Sequence, residues 1–176
     1  MKYLALILLT LSLVLSSCDN TIGHPPSQGG DFIGTTFEFT GDFNRSNAYQ
    51  LVFNFRQNGF IPYESDVILA YVLWESAGID YWRPLPQTVY FNNGTSFQYN
   101  YDFSADIASN QIIDMSVFLD SYLDLSTLPP GYTQNQTFRV VVVPSDFLEA
   151  SNVDVNSMES ILNAEQLKLK ELEIMH

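Results

Sequence analysis

From Thr35 onward apolar side chains recur at every second position, and a period of two commits the body of the chain to strands. Phe37, Phe39, Gly41 and Phe43 point one way while Thr36, Glu38, Thr40 and Asp42 point the other. Leu51, Phe53 and Phe55 alternate with Val52, Asn54 and Arg56 in a second strand. Asp66 to Glu75 is an almost unbroken apolar run, the pattern of a strand buried on both faces. Tyr81-Trp82-Arg83 follows a turn at Ser76-Ala77-Gly78. Two alternating runs, Thr88 to Phe91 and Ser96 to Phe103, flank Asn92-Asn93-Gly94 and predict a hairpin over 88–103. Ile112 to Leu119 follows, then Phe138 to Val143, which is too short for a buried helix and too β-branched to prefer one. Seven or eight short strands with turn signals between them predict an antiparallel two-sheet β-sandwich over residues 34–148. A closed barrel is the alternative. A strict immunoglobulin domain is not supported, because its cysteine pair is missing.

Residues 149–176 change character. Asn156-Ser157-Met158-Glu159 has the spacing of a capping box with Asn156 as N-cap, and Met158, Ile161 and Leu162 then share a helical face. Beyond Ala164, the apolar positions Leu167, Leu169, Leu172 and Ile174 break their alternation at Glu171. Continued helix and a final strand with a bulge both fit, and the strand is the reading taken.

Composition narrows the chemistry. Hydrophobic residues make up 46% of the 176 and aromatics 14%, enough for a packed core and against general disorder. The two histidines, His24 and His176, lie near the chain ends, and Cys18 is the one cysteine. The body therefore has no Ser-His-Asp triad, no Cys-His dyad and no Cys-based zinc cluster. Seven basic residues against 20 acidic ones give a net charge of −13 and no basic stripe for nucleic acid. The expectation is a protein that is not an enzyme, with no catalytic residue assigned.

Residues 1–17 read as a targeting segment: Met1-Lys2 supplies a positive start, and Tyr3 to Leu15 is an apolar run too short to span a bilayer. The closing Leu15-Ser16-Ser17-Cys18 resembles the bacterial lipobox. That resemblance implies cleavage between Ser17 and Cys18 and a diacylated, palmitate-type lipid anchor on Cys18. Loss of the signal peptide leaves 6 basic residues against 20 acidic ones, a net charge of −14. A body so acidic is repelled by anionic lipid surfaces and stands off on its tether. Residues 18–33 carry the lipidated cysteine and that tether, with Pro25-Pro26 and Gly29-Gly30 among small polar residues.

Three stretches, Leu73-Trp74-Glu75, Trp82 to Thr88 and Asn135 to Pro144, resemble a set of short lipoproteins from Bacteroidota over roughly residues 35–165. Some of those proteins carry a collagen-like Gly-Pro repeat behind the lipid cysteine, and this chain does not. The resemblance implies a β-rich domain and an outer-membrane lipoprotein, on the periplasmic or the surface face. It carries no catalytic residue across.

Three candidate sites remain. Loop carboxylates (Asp80, Asp102, Asp106, Asp114, Asp120, Asp124) would serve a glycoside hydrolase only if two converged. Their ordinary role is solvation and defence of strand edges. Asp114, Asp120 and Asp124, with Ser126, are the calcium candidates, and no cofactor beyond the covalent lipid is otherwise implied. Aromatic residues are the remaining excess, and most belong in the core. Tyr81 and Trp82 are those expected outside it, as a ligand surface with Arg83 beside them. Arg83 is expected to pair with Glu75 or Asp80, and Arg139 to stand outward as a charge guarding its strand. The sequons at Asn93 and Asn135 read as turn chemistry. The leading expectation is a membrane-anchored envelope lipoprotein that presents its sandwich to an envelope protein. A glycan-binding role for the Trp82 region comes second, and a carboxylate glycosidase third.

Overall fold

A computed structural model describes residues 32–150, 153–154, 157–164 and 167–171. Residues 1–31, with Cys18 and His24 among them, and His176 lie outside the described residues, while Phe32 and Ile33, expected in the linker, belong to the first strand. The strands are β1 (Phe32–Gly41), β2 (Gln50–Asn54), β3 (Val67–Ser76), β4 (Ile79–Pro84), β5 (Gln87–Tyr90), β6 (Ser96–Asp106), β7 (Gln111–Asp120), β8 (Gln136–Val143) and β9 (Leu167–Glu171). Two short helices, α1 (Ser145–Ala150) and α2 (Met158–Leu162), separate β8 from β9. None of the described helices is long and apolar enough to cross a membrane.

The strands form two sheets in the orders β4-β3-β8-β1-β9 and β2-β7-β6-β5. All pairings are antiparallel except that of β9 with β1. The expected β-sandwich is therefore the fold, and the final strand is real. Its described part ends at Glu171, so the bulge expected there lies outside the described residues. A cis Leu85–Pro86 peptide carries the chain from β4 in one sheet to β5 in the other.

Between the sheets sits an aromatic core. Phe138 lies at its centre, fully buried, with ring centroids 5.6 Å from Phe39, 5.9 Å from Phe43 and 6.0 Å from Tyr99. The Tyr99 hydroxyl donates to the Tyr132 carbonyl at 2.7 Å, so this ring can be buried without stranding its polar atom. A second apolar cluster lies on the other face of the five-stranded sheet, under the helices. It joins Tyr71, Val141, Val143, Phe147, Ile161 and Leu167. The unbroken apolar run of β3 follows from these two cores. Ile68, Ala70 and Val72 face the first, while Leu69 and Tyr71 face the second.

One local reading changes: the N-cap of α2 is Ser157, whose hydroxyl accepts the Ser160 N–H, while Asn156 lies outside the described residues. The 88–103 hairpin forms as expected, on the three-residue turn Asn92-Asn93-Gly94: Gly94 N–H bonds the Phe91 carbonyl, and Gly94 takes φ +83°. Asn93 Oδ1 accepts from both the N–H and the hydroxyl of Thr95, which is the turn chemistry expected of it.

Removing the Phe138 ring should open a cavity that four converging strands cannot fill. Phe138→Ala is expected to lower stability by about 3–5 kcal/mol in urea denaturation, whereas Val52→Ala on the exposed face should change it by no more than about 0.5 kcal/mol. Equal effects would mean that the aromatic core is not the main source of cohesion.

Candidate groove between the edge strand and the second helix

The site begins with a turn. Ala77 and Gly78 both have positive φ, 56° and 75°, which makes the β3–β4 connection a two-residue turn of the kind whose twist suits a hairpin. That turn fixes the register and sets Trp82 opposite Leu73, and Arg83 opposite Val72. Strand alternation then splits the predicted ligand trio. Trp82 joins the outer cluster with Tyr71 and Val141, whereas Tyr81 and Arg83 lie on the other side of β4, beside Trp74.

Arg139 and Arg83 each settle on a tryptophan. The Arg139 guanidinium carbon lies 3.9 Å from the Trp82 ring centroid, and Arg83 lies 4.3 Å from that of Trp74. Arg139 also donates to Glu38 Oε1 through Nε at 2.8 Å and through Nη2. This corrects two expectations. β8 is the middle strand of its sheet, so Arg139 guards no edge; it bridges Glu38 on β1 and Trp82 on β4, a span of four strands. Among the described residues Arg83 has no ion pair with Glu75 or Asp80, and Trp74 is its partner instead.

Against β4 lies α2, and between them is a groove of about 650 Å³. The sheet contributes Tyr71, Asp80, Tyr81, Trp82, Arg83 and Arg139, and the helix region contributes Ser157, Met158, Glu159, Leu162 and Asn163. Tyr81 is 46% exposed, so its ring is the more accessible of the two expected aromatics. Trp82 is half-buried, with Arg139 over its ring. Tyr71 lies at the floor, 1% exposed, and its hydroxyl has no hydrogen-bond partner. Burial pushes the Tyr71 pKa up to about 12, with smaller contributions from Tyr101 and Asp154.

The calcium candidates stay apart. Asp114 sits in β7 and accepts from the Ser104 hydroxyl at 2.6 Å, while Asp120 ends the same strand. Six residues of extended chain separate them by roughly 20 Å. Asp124 caps a one-turn 3-10 helix: Ser126 donates to it from both its hydroxyl and its N–H, and Arg45 lies 3.6 Å away. These contacts, the Ser126 hydroxyl first, hold the Asp124 carboxyl below its ordinary range. The expected calcium set Asp114, Asp120 and Asp124 therefore does not assemble. No group of three or more His, Cys, Asp or Glu among the described residues is placed to hold a metal ion. Asp102 takes the hydroxyl of Ser116 opposite it on β7, and Asp106 takes the Ser109 hydroxyl and the Ala108 N–H within its own turn.

Sequence reasoning found Tyr81, Trp82 and Arg83 but not Tyr71, Glu159 or Asn163. A hydroxyl inside a run buried on both faces was the available signal for Tyr71. Nothing in the pattern tied α2 to β4. Comparison with family models, curated proteins and solved structures found no match to this chain.

Tyr71, Tyr99 and Tyr101 all have pKa values raised by burial. A raised value means that the folded state holds protons which the unfolded chain releases above its ordinary tyrosine value of 10.0. Their contribution is thus complete below pH 10 and lost as pH climbs toward the folded values. Urea midpoints measured from pH 8 to 12 should be flat and then fall, and Tyr99→Phe should flatten the fall. An unaltered slope in Tyr99→Phe would contradict the assignment.

Proposed function

We propose that this protein is a lipid-anchored envelope lipoprotein of the outer membrane, held through Cys18, which recognises a partner in the β4–α2 groove and does no covalent chemistry on it. The observation that carries the reading is that Trp82, one of the three residues picked out by the sequence as a ligand surface, lines a groove with Tyr71, Arg139 and α2, at whose floor the buried Tyr71 hydroxyl has no hydrogen-bond partner. Charge supports a tethered arrangement. A mature body of 6 basic and 20 acidic residues gains nothing from contact with anionic lipid and depends on its anchor to stay near the membrane.

The tether sets the reach. About 13 residues separate Cys18 from the start of β1. Fully extended they span roughly 45 Å, and as a flexible coil about 20 Å. Within that radius the anchor raises the effective concentration of the groove, so a modest intrinsic affinity suffices. The partner is either an envelope protein or a glycan, and the lining of the groove bears on that choice.

Cys18→Ser should release the body from the membrane fraction and abolish lipid labelling; a variant that stays membrane-bound would refute the anchor. For recognition, a photocrosslinking side chain at position 80, which shares the Trp82 side of β4 and lines the groove, should give a reproducible adduct in the lipidated protein in intact cells. The same group at Ile107, in the exposed β6–β7 turn, should not. Equal labelling from both positions would remove the groove from the account.

A further inference from the structure

The Tyr71 hydroxyl is the least expected feature of the groove. Native proteins pair nearly all buried polar atoms, and an unpaired one is costly. Tyr99 and Tyr101, its counterparts in the first core, donate to the Tyr132 carbonyl and, at 3.1 Å, to the Ile68 carbonyl. Tyr71, 1% exposed, alone among the described residues holds a buried side-chain polar atom with no partner, and it lines the groove. Pro84 stands opposite Tyr71 on β4, and four residues further along β3 Glu75 stands opposite Asp80. Asp80 and Pro84 both line the groove, which therefore follows the strand for about 13 Å.

The charges on this face do not balance. Arg139 is held by Glu38 through Nε and Nη2 and lies over the Trp82 ring. Arg83 borders the groove, but its guanidinium packs on Trp74, on the opposite side of the sheet. That leaves Asp80 on β4 and Glu159 on α2, and among the described residues neither carboxylate has an ion pair or a side-chain hydrogen bond. Glu75 adds to them, because residues directly opposite across two strands share a face and like charges placed so repel. Three carboxylates without a cation of their own, in a chain of net charge −13, attract cations and reject anions. No three such groups among the described residues are placed to hold a metal ion, so the charge they match is spread along an organic cation. Trp82, Met158 and Leu162 supply apolar walls, on which the aliphatic stem of a lysine can lie while its ammonium reaches a carboxylate.

We infer that the β4–α2 groove binds a basic, lysine-bearing segment of an envelope protein, extended along β4. Lysine ammonium groups on one side of that segment meet Asp80 and Glu159, their stems lie along Trp82 and Met158, and the Tyr71 hydroxyl takes one hydrogen bond at the far end. Four or five residues of extended chain cover the distance. This assignment rests on the groove being the recognition site, as proposed above, and selects the protein over the glycan as its partner.

The test titrates the full lipidated chain, in an uncharged detergent at low salt, with the peptide acetyl-Lys-Ala-Lys-Ala-Lys-amide, its glutamate counterpart and spermine, by calorimetry. The lysine peptide should bind and the glutamate peptide should not. Asp80→Asn and Glu159→Gln should each weaken the lysine peptide several-fold and together at least about tenfold, whereas Asp120→Asn, at the end of β7 in the other sheet, should change it less than about twofold. Tyr71→Phe should weaken binding about fivefold while leaving the melting temperature unchanged or raised, since it deletes an unpaired polar atom. A drop in melting temperature would mean that the hydroxyl is structural, and overturns its role in binding. Equal weakening by Asp120→Asn and Asp80→Asn would mean attraction to the acidic body as a whole, and overturns the site. Spermine binding as tightly as the peptide would make this an amine site, and overturns the segment. If no peptide binds but photocrosslinking groups at position 80 and at Leu162, an uncharged residue of the groove, still capture a protein in cells, the basic class is wrong and the groove stands. If neither occurs, both fail.

Discussion

The five-stranded sheet must bury two faces, and most of what is distinctive about the molecule follows from that. β3 and β8 send Val72, Phe138 and Val140 into the core between the sheets, and Tyr71, Val141 and Val143 to the opposite side. Apolar side chains on an outer face are tolerable only under a second layer. The chain supplies that layer with its last segments, laying Phe147 of α1 and Ile161 of α2 over the sheet before adding β9 at its edge.

The layer is incomplete, and the groove lies near its edge. Along β8 the outward residues run Thr137, Arg139, Val141, Val143, polar for two positions and then apolar for two. The helices cover the apolar half. Thr137 pairs with Thr40 at 2.8 Å and Arg139 with Glu38, so the uncovered half is closed by polar ladder contacts instead. Arg139, Trp82 and Tyr71 meet where these two regimes join. A site there draws on both: a dry floor from the helix-covered cluster, and hydrogen-bonding groups from the open one.

Much of this was legible in the sequence, and the limits have physical causes. Strand patterns are local, so β1, β2, β6 and the 88–103 hairpin could be read from side-chain alternation, and β3 from its unbroken apolar run. The β-branched run after Arg139 also marked β8 as a strand, although its place at the middle of the sheet depends on pairing that no local pattern encodes. For the same reason Arg139 read as a guard of its strand and proved to be a bridge. Aspartates looked like a shared resource, yet Asp106 and Asp124 satisfy N–H and hydroxyl groups two or three residues away, and Asp102 and Asp114 take serine hydroxyls from the facing strand. Tyr81, Trp82 and Arg83 were found because an aromatic pair beside a rare cation stands out in so acidic a chain. Tyr71 was missed because it resembles any other core aromatic until its hydroxyl is seen without a partner.

The central claim is that recognition occurs in the β4–α2 groove, and the chain carries its own reporter for it. It has two tryptophans, of which Trp82 lines the groove and Trp74 packs against the core between the sheets. Intrinsic fluorescence of the full lipidated protein, followed through a titration with the partner that crosslinking identifies, therefore reports on the groove through Trp82. The account predicts a saturable change in emission with the calorimetric midpoint, most of it lost in Trp82→Phe. Binding by calorimetry with silent fluorescence would put the ligand elsewhere and contradict the account.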